Sequence, residues 1–168
     1  CKAWEQATGS AYDAGIRVAI VRFGIVLTPT GGALAKLLPP FRLGLGGRLG
    51  RGEQGIPWIA LPDAVNVIRF VVARRELRGP INAVAPETIR NAELTEARGG
   101  ALHRPTPLSI PGFALRALFG REMAQEMLLD GALVRPRVLE ELGYRFDYPR
   151  VDDALEAMLR RGGTAAGA

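Results

Sequence analysis

Residues Ile16 to Leu27, IRVAIVRFGIVL, are dense in β-branched side chains, and between Arg17 and Arg22 they are apolar on both faces. A strand with one wet face alternates polar and apolar residues. A strand covered on both faces does not, and that is the setting of a parallel sheet flanked by helices. The chain supplies such neighbours. Thr28-Pro29-Thr30-Gly31-Gly32 ends the run, and Ala33 to Leu38 reads as a short helix stopped by Pro39-Pro40. Ile56 to Leu61 reads as a strand. Pro62-Asp63 then opens a helix with apolar residues at Ala64, Val65, Val67, Ile68, Val71 and Val72. Gly79-Pro80 breaks that helix, Ile81 to Val84 is a further short strand, and Asn91 is the expected N-cap of a helix through about Arg98. Ahead of the run, Ala3, Trp4, Ala7 and Ala11 give residues 2–14 helical spacing, with Gly15 as the stop.

The last third changes character. Pro105, Pro107 and Pro111 punctuate an extended link that carries Leu108 and Ile110. Helical patterns follow at 112–119, 121–129 and 136–142, with Pro136 at a helix start. Gly143 ends the third, Tyr144-Arg145-Phe146 is extended, and Val151 to Arg161 is amphipathic. The tail, GGTAAGA, has nothing to bury and is expected to be disordered. The predicted fold class is α/β: parallel strands with helices over 1–100, a small helical domain over 101–161, and a tail over 162–168.

Composition narrows the function classes. With 168 residues, 48% of them hydrophobic, the chain can bury a core, and it is neither disordered, collagen-like nor a coiled coil. No stretch of about 18 apolar residues is free of charges or breakers, so no membrane span is expected. One cysteine and one histidine make a disulfide framework and a Cys/His zinc site untenable, and no metal is expected. The formal net charge is +5, and the pI of about 10.1 invites a nucleic-acid reading. Yet only Lys2 and Lys36 are lysines, and the arginines are scattered; the closest groups are Arg74-Arg75-Arg78 and Arg48 with Arg51. No aromatic residues interleave with them as a stacking platform requires. A basic nucleic-acid-binding module therefore rests on net charge alone. His103 has no identifiable Ser or Cys partner and reads as structural or exposed, and Cys1 carries no redox role.

Five segments, taken in order, resemble one known family. They are CKAWE, VRFGIVLTPTGGAL, GLGGRLGRGEQGIPWI, NAVAPETIRNAEL and RPRVLEELGYRFDYP. Together they look like the C-terminal half of an epimerase-like extended short-chain dehydrogenase/reductase, in the subgroup of nucleoside-diphosphate-sugar epimerase-like proteins with a small C-terminal domain of unknown function. The resemblance covers about residues 1–160. It implies the C-terminal half of a Rossmann-type, doubly wound parallel sheet, followed by a small, mostly helical substrate or cap domain. The chain opens at Cys1 inside a helical pattern, and it is expected to be a piece of a longer protein. The family's Gly-rich phosphate loop, which follows a leading strand, has no counterpart here.

The resemblance also implies roles. Phe23, Gly24, Ile25 and Val26 would pass the nicotinamide of NAD(P), expected to be NADP(H), with the rest of the cofactor site contributed upstream. Leu34 and Phe41 would line the substrate side. The glycine-dense segment Gly44 to Gly55 would be the substrate-side loop, beside which Arg51, Gln54 and Trp58 carry suitable chemistry. An arginine fork suits a phosphate or carboxylate, glutamine donates and accepts, and tryptophan offers a stacking face. The family uses a tyrosine general acid/base and a lysine four residues later. Setting Glu5 on the glutamate that follows that lysine puts Cys1 at the lysine position, with Lys2 about 100° around the helix. The tyrosine then falls before Cys1, and no catalytic residue is expected within the chain. The stretch WIALPDAV resembles the family's Trp-Ile-His-x-x-Asp, with Ala60 in place of histidine; capping of its helix accounts for Asp63. The expected partners are a dinucleotide and a small nucleotide-sugar or carbonyl/hydroxyl substrate, without nucleic acid or membrane, in the cytoplasm. Two readings result: the nicotinamide and substrate side of an NAD(P)-dependent epimerase-like oxidoreductase, or a non-catalytic NAD(P)-binding regulatory protein of the same fold.

Overall fold

The computed structural model describes residues 2–43, 47–49, 52–102, 108–110 and 131–164. The run that dominates the sequence forms two strands, β1 (Ala19–Phe23) and β2 (Ile25–Leu27), with Gly24 between them. Both pair in parallel, but with different partners. β1 lies along β6 (Gly79–Ala83), with Val21 opposite Ile81. β2 lies along β5 (Trp58–Ala60), with Val26 opposite Ile59. Parallel pairing needs a crossover, and α4 (Leu61–Ala73) supplies it between β5 and β6. Ala64, Val67 and Val71 of α4 pack with Ile59, Ile81 and Ala83, joined by Leu139 from α6 (Arg137–Glu141). Each fully buried aliphatic side chain there stabilises the fold by about 1.5–3 kcal/mol relative to an exposed one.

A second cluster holds the other end of the fold together. Ile25, Leu27, Leu34, Leu38, Trp58 and Leu94 meet there with Ala154 and Leu155. Leu34 and Leu38 come from α3 (Gly32–Arg42), Leu94 from α5 (Asn91–Ala101), and Ala154 and Leu155 from α7 (Val151–Thr164). The C-terminal helix thus shares its core with the strands. A boundary after residue 100 would cut α5, and α7 continues three residues past Arg161 into the segment expected to be disordered.

Several local expectations are revised. Pro39 and Pro40 do not stop α3, which runs to Arg42. The prolines deny hydrogen bonds to the carbonyls of Ala35 and Lys36 near the helix end. Leu34, Leu37, Leu38 and Phe41, spaced i, i+3, i+4 and i+7, are all buried and hold the helix in place. The strand expected over Ile56 to Leu61 divides at Pro57 into β4 (Gly55–Ile56) and β5, and β4 pairs antiparallel with β7 (Ile89–Arg90). Asn91 is the first residue of α5 rather than its cap. The first turn is tied by the Glu93 carboxylate, which accepts the Arg90 N–H at 2.6 Å. The N-terminal helix is two short ones, α1 (Lys2–Gln6) and α2 (Gly9–Asp13). The extended link carries a true strand, β8 (Leu108–Ile110), parallel to β3 (Gly47–Leu49). The helical patterns at 112–119 and 121–129 lie outside the described residues.

Candidate functional site

The chain changes sheet partner at Gly24. Its N–H donates to the Ala83 carbonyl at 3.2 Å, continuing the β1–β6 ladder, and the next N–H, of Ile25, donates to the Pro57 carbonyl at 2.7 Å. The strand therefore steps from β6 onto β5 within one residue. A Cβ at Gly24 would sit 2.5 Å from the Pro57 oxygen and 2.7 Å from its carbonyl carbon. The glycine is required by this close passage of two backbones. Phe23, at the C-terminal end of β1, is 43% exposed. Ligands of open α/β sheets sit past the carboxyl ends of the parallel strands, where Phe23 stands. The Gly24 and Ile25 N–H groups are spent inside the sheet. The exposed Phe23 ring is what this edge offers to a flat, partly apolar group, and it suits a nicotinamide face. Ile25 points into the core, and Val26 is half-buried.

The glycine-dense segment is fixed at its C-terminal end. Gly52 has φ +77 and gives its carbonyl to the Ala92 N–H at 2.9 Å; the Gln54 carbonyl accepts the Asn91 N–H at 3.0 Å. Gly55 is closed in by the backbone of Ala132 and Leu133, 2.7 Å from where its Cβ would lie, and Gly131 abuts the Gly55 carbonyl in the same way. Half-buried Gln54 sits on this segment. Arg51 lies outside the described residues. Leu34, Phe41 and Trp58 are each 1% exposed. The Trp58 indole N–H donates to the Glu87 carbonyl at 3.2 Å. A tryptophan so enclosed presents no stacking face, so the direct contact expected of it gives way to a core position, and the same holds for Leu34 and Phe41. Ala60, where the family pattern has histidine, is fully buried in β5.

Four polar groups hold this arrangement through partners that no local sequence signal marks. Asp63 is completely buried, and its two oxygens accept the N–H groups of Asp147 at 2.8 Å and Tyr148 at 2.9 Å. It does not cap its own helix; it ties the segment before α7 to the first turn of α4. Burial raises its carboxyl above the ordinary value, against the pull of the two N–H groups. Glu87 accepts the Val151 N–H at 2.6 Å, at the start of α7. Arg17 donates to the carbonyls of Val71, Arg74 and Leu77 at 3.2–3.3 Å, closing the C-terminal end of α4. Glu5 takes a bidentate pair from Arg22 at 2.7 and 2.6 Å, which docks α1 on β1; the hydrogen bond from Arg22 lowers the Glu5 carboxyl.

A groove of about 820 Å³ opens between α5 and α7, walled by Glu87, Glu93, Glu96, Asp152 and Glu156. None of the residues expected to bind ligands lines it, and five carboxylates would repel the pyrophosphate of a dinucleotide. Among the described residues no group of three or more His, Cys, Asp or Glu could hold a metal ion, and no helix is long and apolar enough to cross a membrane.

Comparison with known proteins follows the same geometry. Residues 110–158 match a family described as a domain of unknown function, DUF1731. An epimerase family protein of Mycobacterium tuberculosis is 45% identical over 155 residues, covering 92% of this chain and 51% of that protein. The crystal structure of a human epimerase family protein with NADPH superposes with a TM-score of 0.80 at 38% identity, covering 86% of this chain and 49% of that one. A nucleoside-diphosphate sugar epimerase from Corynebacterium glutamicum gives a TM-score of 0.71 at 32% identity, covering 95% of this chain and 30% of that one. The fold is therefore that of Rossmann-type epimerases. The chain spans about half the length of the curated relatives it matches, over their C-terminal part.

Proposed function

We propose, from the 45% identity over 155 residues to an epimerase family protein of Mycobacterium tuberculosis, that the chain forms the nicotinamide and substrate side of an NAD(P)-dependent epimerase-like oxidoreductase. The observation that carries this reading is the end of β1. An exposed Phe23 stands at the carboxyl edge of a parallel strand, followed by a glycine-mediated change of partner. The nicotinamide lies against Phe23, Gly24, Ile25 and Val26, and NADP(H) is the cofactor. Redox chemistry belongs to the cofactor; the protein side supplies the face that positions it. By the resemblance, Arg51 and Gln54 meet the polar part of a nucleotide-sugar or small carbonyl/hydroxyl substrate, and Leu34, Phe41 and Trp58 support that side from the core. The dinucleotide phosphates are bound by sequence outside this chain, and the protein works in the cytoplasm.

A second reading, cofactor binding without hydride transfer, is favoured by two positions. Ala60 stands where the family pattern has histidine, and the register set by Glu5 puts Cys1 where it has lysine. Both readings require NADPH binding. Titration of the intact gene product with NADPH, followed by cofactor fluorescence, should give saturable binding that weakens roughly tenfold in Phe23→Ala, a loss of about 1.4 kcal/mol. Absence of binding by the folded protein overturns both. Turnover of a carbonyl substrate selects the first, and binding without turnover selects the second.

A further inference from the structure

We propose that the open edge of β1 and the outer flank of α4 form one docking surface, and that its occupant is the upstream half of the same gene product. That half would bring a strand to β1 and a helix to α4. The backbone of β1 gives the first part of the surface. The Val18 carbonyl accepts the Gly79 N–H, and the Gly24 N–H donates to the Ala83 carbonyl. Alternation along a parallel ladder then turns the backbone groups of Val18, Ile20, Arg22 and Gly24 toward β6. Those of Ala19, Val21 and Phe23 turn the other way, where no strand among the described residues pairs with them. Sheet edges that face water are ordinarily guarded by charge, proline or a bulge. Residues 18–21, VAIV, carry no charge and no proline.

The second part is α4. Ala64, Val67 and Val71 are buried against the strands. One flank is covered: Phe70 meets the Tyr144 ring, and Asn66 donates to Asp147 at 3.0 Å. That cover continues from α6, whose Leu139 packs with Ile81 of β6, so the covered flank lies on the β6 side. Leu61, Val65, Ile68 and Val72, spaced i, i+4, i+7 and i+11, form a stripe about 100° around the helix from the buried one, on the opposite flank. They are 39–65% exposed. Only Asn66 and Arg69 interrupt the apolar circumference between the first turn and Ala73. A helix so apolar is built to be covered on two sides, and here one side is bare. An unguarded strand edge beside a bare helix flank calls for the next strand and helix of a layered α/β plan. The relatives have sequence to supply them. The match to the Mycobacterium tuberculosis protein spans 51% of that protein, over its C-terminal part, so a similar length precedes the matching region there.

The test uses the intact gene product with photo-leucine incorporated in place of leucine. Tryptic peptide 52–69 contains Leu61 and no other leucine, so a diazirine within it reports this flank alone. Irradiated monomer should yield cross-links from Leu61 to peptides that precede Cys1. Cross-links only to residues 1–168, only between two copies, or none at all would each overturn the proposal. Thermal unfolding of the same protein gives a second readout. Ile68→Gln should lower the midpoint by about 3 °C or more, while Arg69→Gln, one residue away on the polar sector, should stay within about 1 °C. Equal midpoints for the two variants would also overturn it. Neither readout involves NADPH, so failure here is distinct from failure of the nicotinamide reading.

Discussion

Replacing Asp63 with alanine should be among the most damaging single changes in this chain. The carboxylate is fully buried and takes two backbone N–H groups, from Asp147 and Tyr148, at 2.8 and 2.9 Å. Alanine leaves both donors without an acceptor, at about 1–3 kcal/mol each. Relief of the carboxylate's own desolvation returns part of that, so the net loss is about 2–4 kcal/mol. For a domain of this size it lowers the melting midpoint by roughly 4–15 °C. The damage should be local at first. The segment from Tyr144 to Tyr148 carries the edge-to-face pairs Phe70–Tyr144 and Tyr144–Phe146, with ring centroids 4.9 and 4.8 Å apart. Hydrogen exchange should show that segment opening before the strands do. The pH dependence has a definite sign. The folded carboxyl titrates above its unfolded value of 3.8, so the folded state takes up the proton first on acidification. Asp63's contribution is therefore greatest below the unfolded value and declines as pH rises through the folded one. The stability of wild type relative to Asp63→Asn should accordingly grow from neutral pH toward pH 4. Scanning calorimetry of wild type, Asp63→Ala and Asp63→Asn across that range checks both claims. An alanine variant within about 1 °C of wild type, or a wild-type advantage that grows with rising pH, would refute the reasoning.

Other consequences are simpler to read. Gly24→Ala forces a Cβ into the Pro57 carbonyl, 2.5 Å away, and should cost about 2–4 kcal/mol in denaturant unfolding; a neutral result would mean that β2 and β5 do not approach as described. Arg17→Ala removes the donor to three carbonyls at the end of α4 and should cost about 1–2 kcal/mol, with amide exchange rising over residues 71–77. The two tryptophans give an optical check on the isolated chain. Trp4 is 86% exposed and Trp58 1%, so acrylamide should quench one emitting population and spare a blue-shifted other; uniform quenching contradicts the buried position of Trp58. Trp58→Phe should then remove the protected population and cost about 1 kcal/mol for the lost bond to the Glu87 carbonyl.

The parallel strands were legible because burial on both faces leaves an uninterrupted β-branched run. β1 lies within the Ile16–Leu27 run, and β6 falls where Ile81–Val84 placed it, shifted by one or two residues. Helix stops at Gly15 and Gly143 were legible too, since both adopt positive φ, which glycine alone takes readily; α4 instead ends at Ala73, six residues before Gly79, which opens β6. The prolines misled. Their local cost to α3 is real, but four buried side chains on one face outweigh it. Trp58 misled for a related reason: its residue type fits ligand stacking and core packing equally, and only the three-dimensional neighbours decide. The polar anchors were invisible. Asp63 meets partners 84 and 85 residues away, and nothing near Asp63 in the sequence marks a segment so distant.

The central claim is that the C-terminal edge of β1 holds the nicotinamide. The most direct measurement is a crystal structure of the intact protein grown with NADPH. The nicotinamide ring should lie in van der Waals contact, about 4 Å, with residues Phe23 to Val26. A bound NADPH whose nicotinamide touches none of those four residues would contradict the claim.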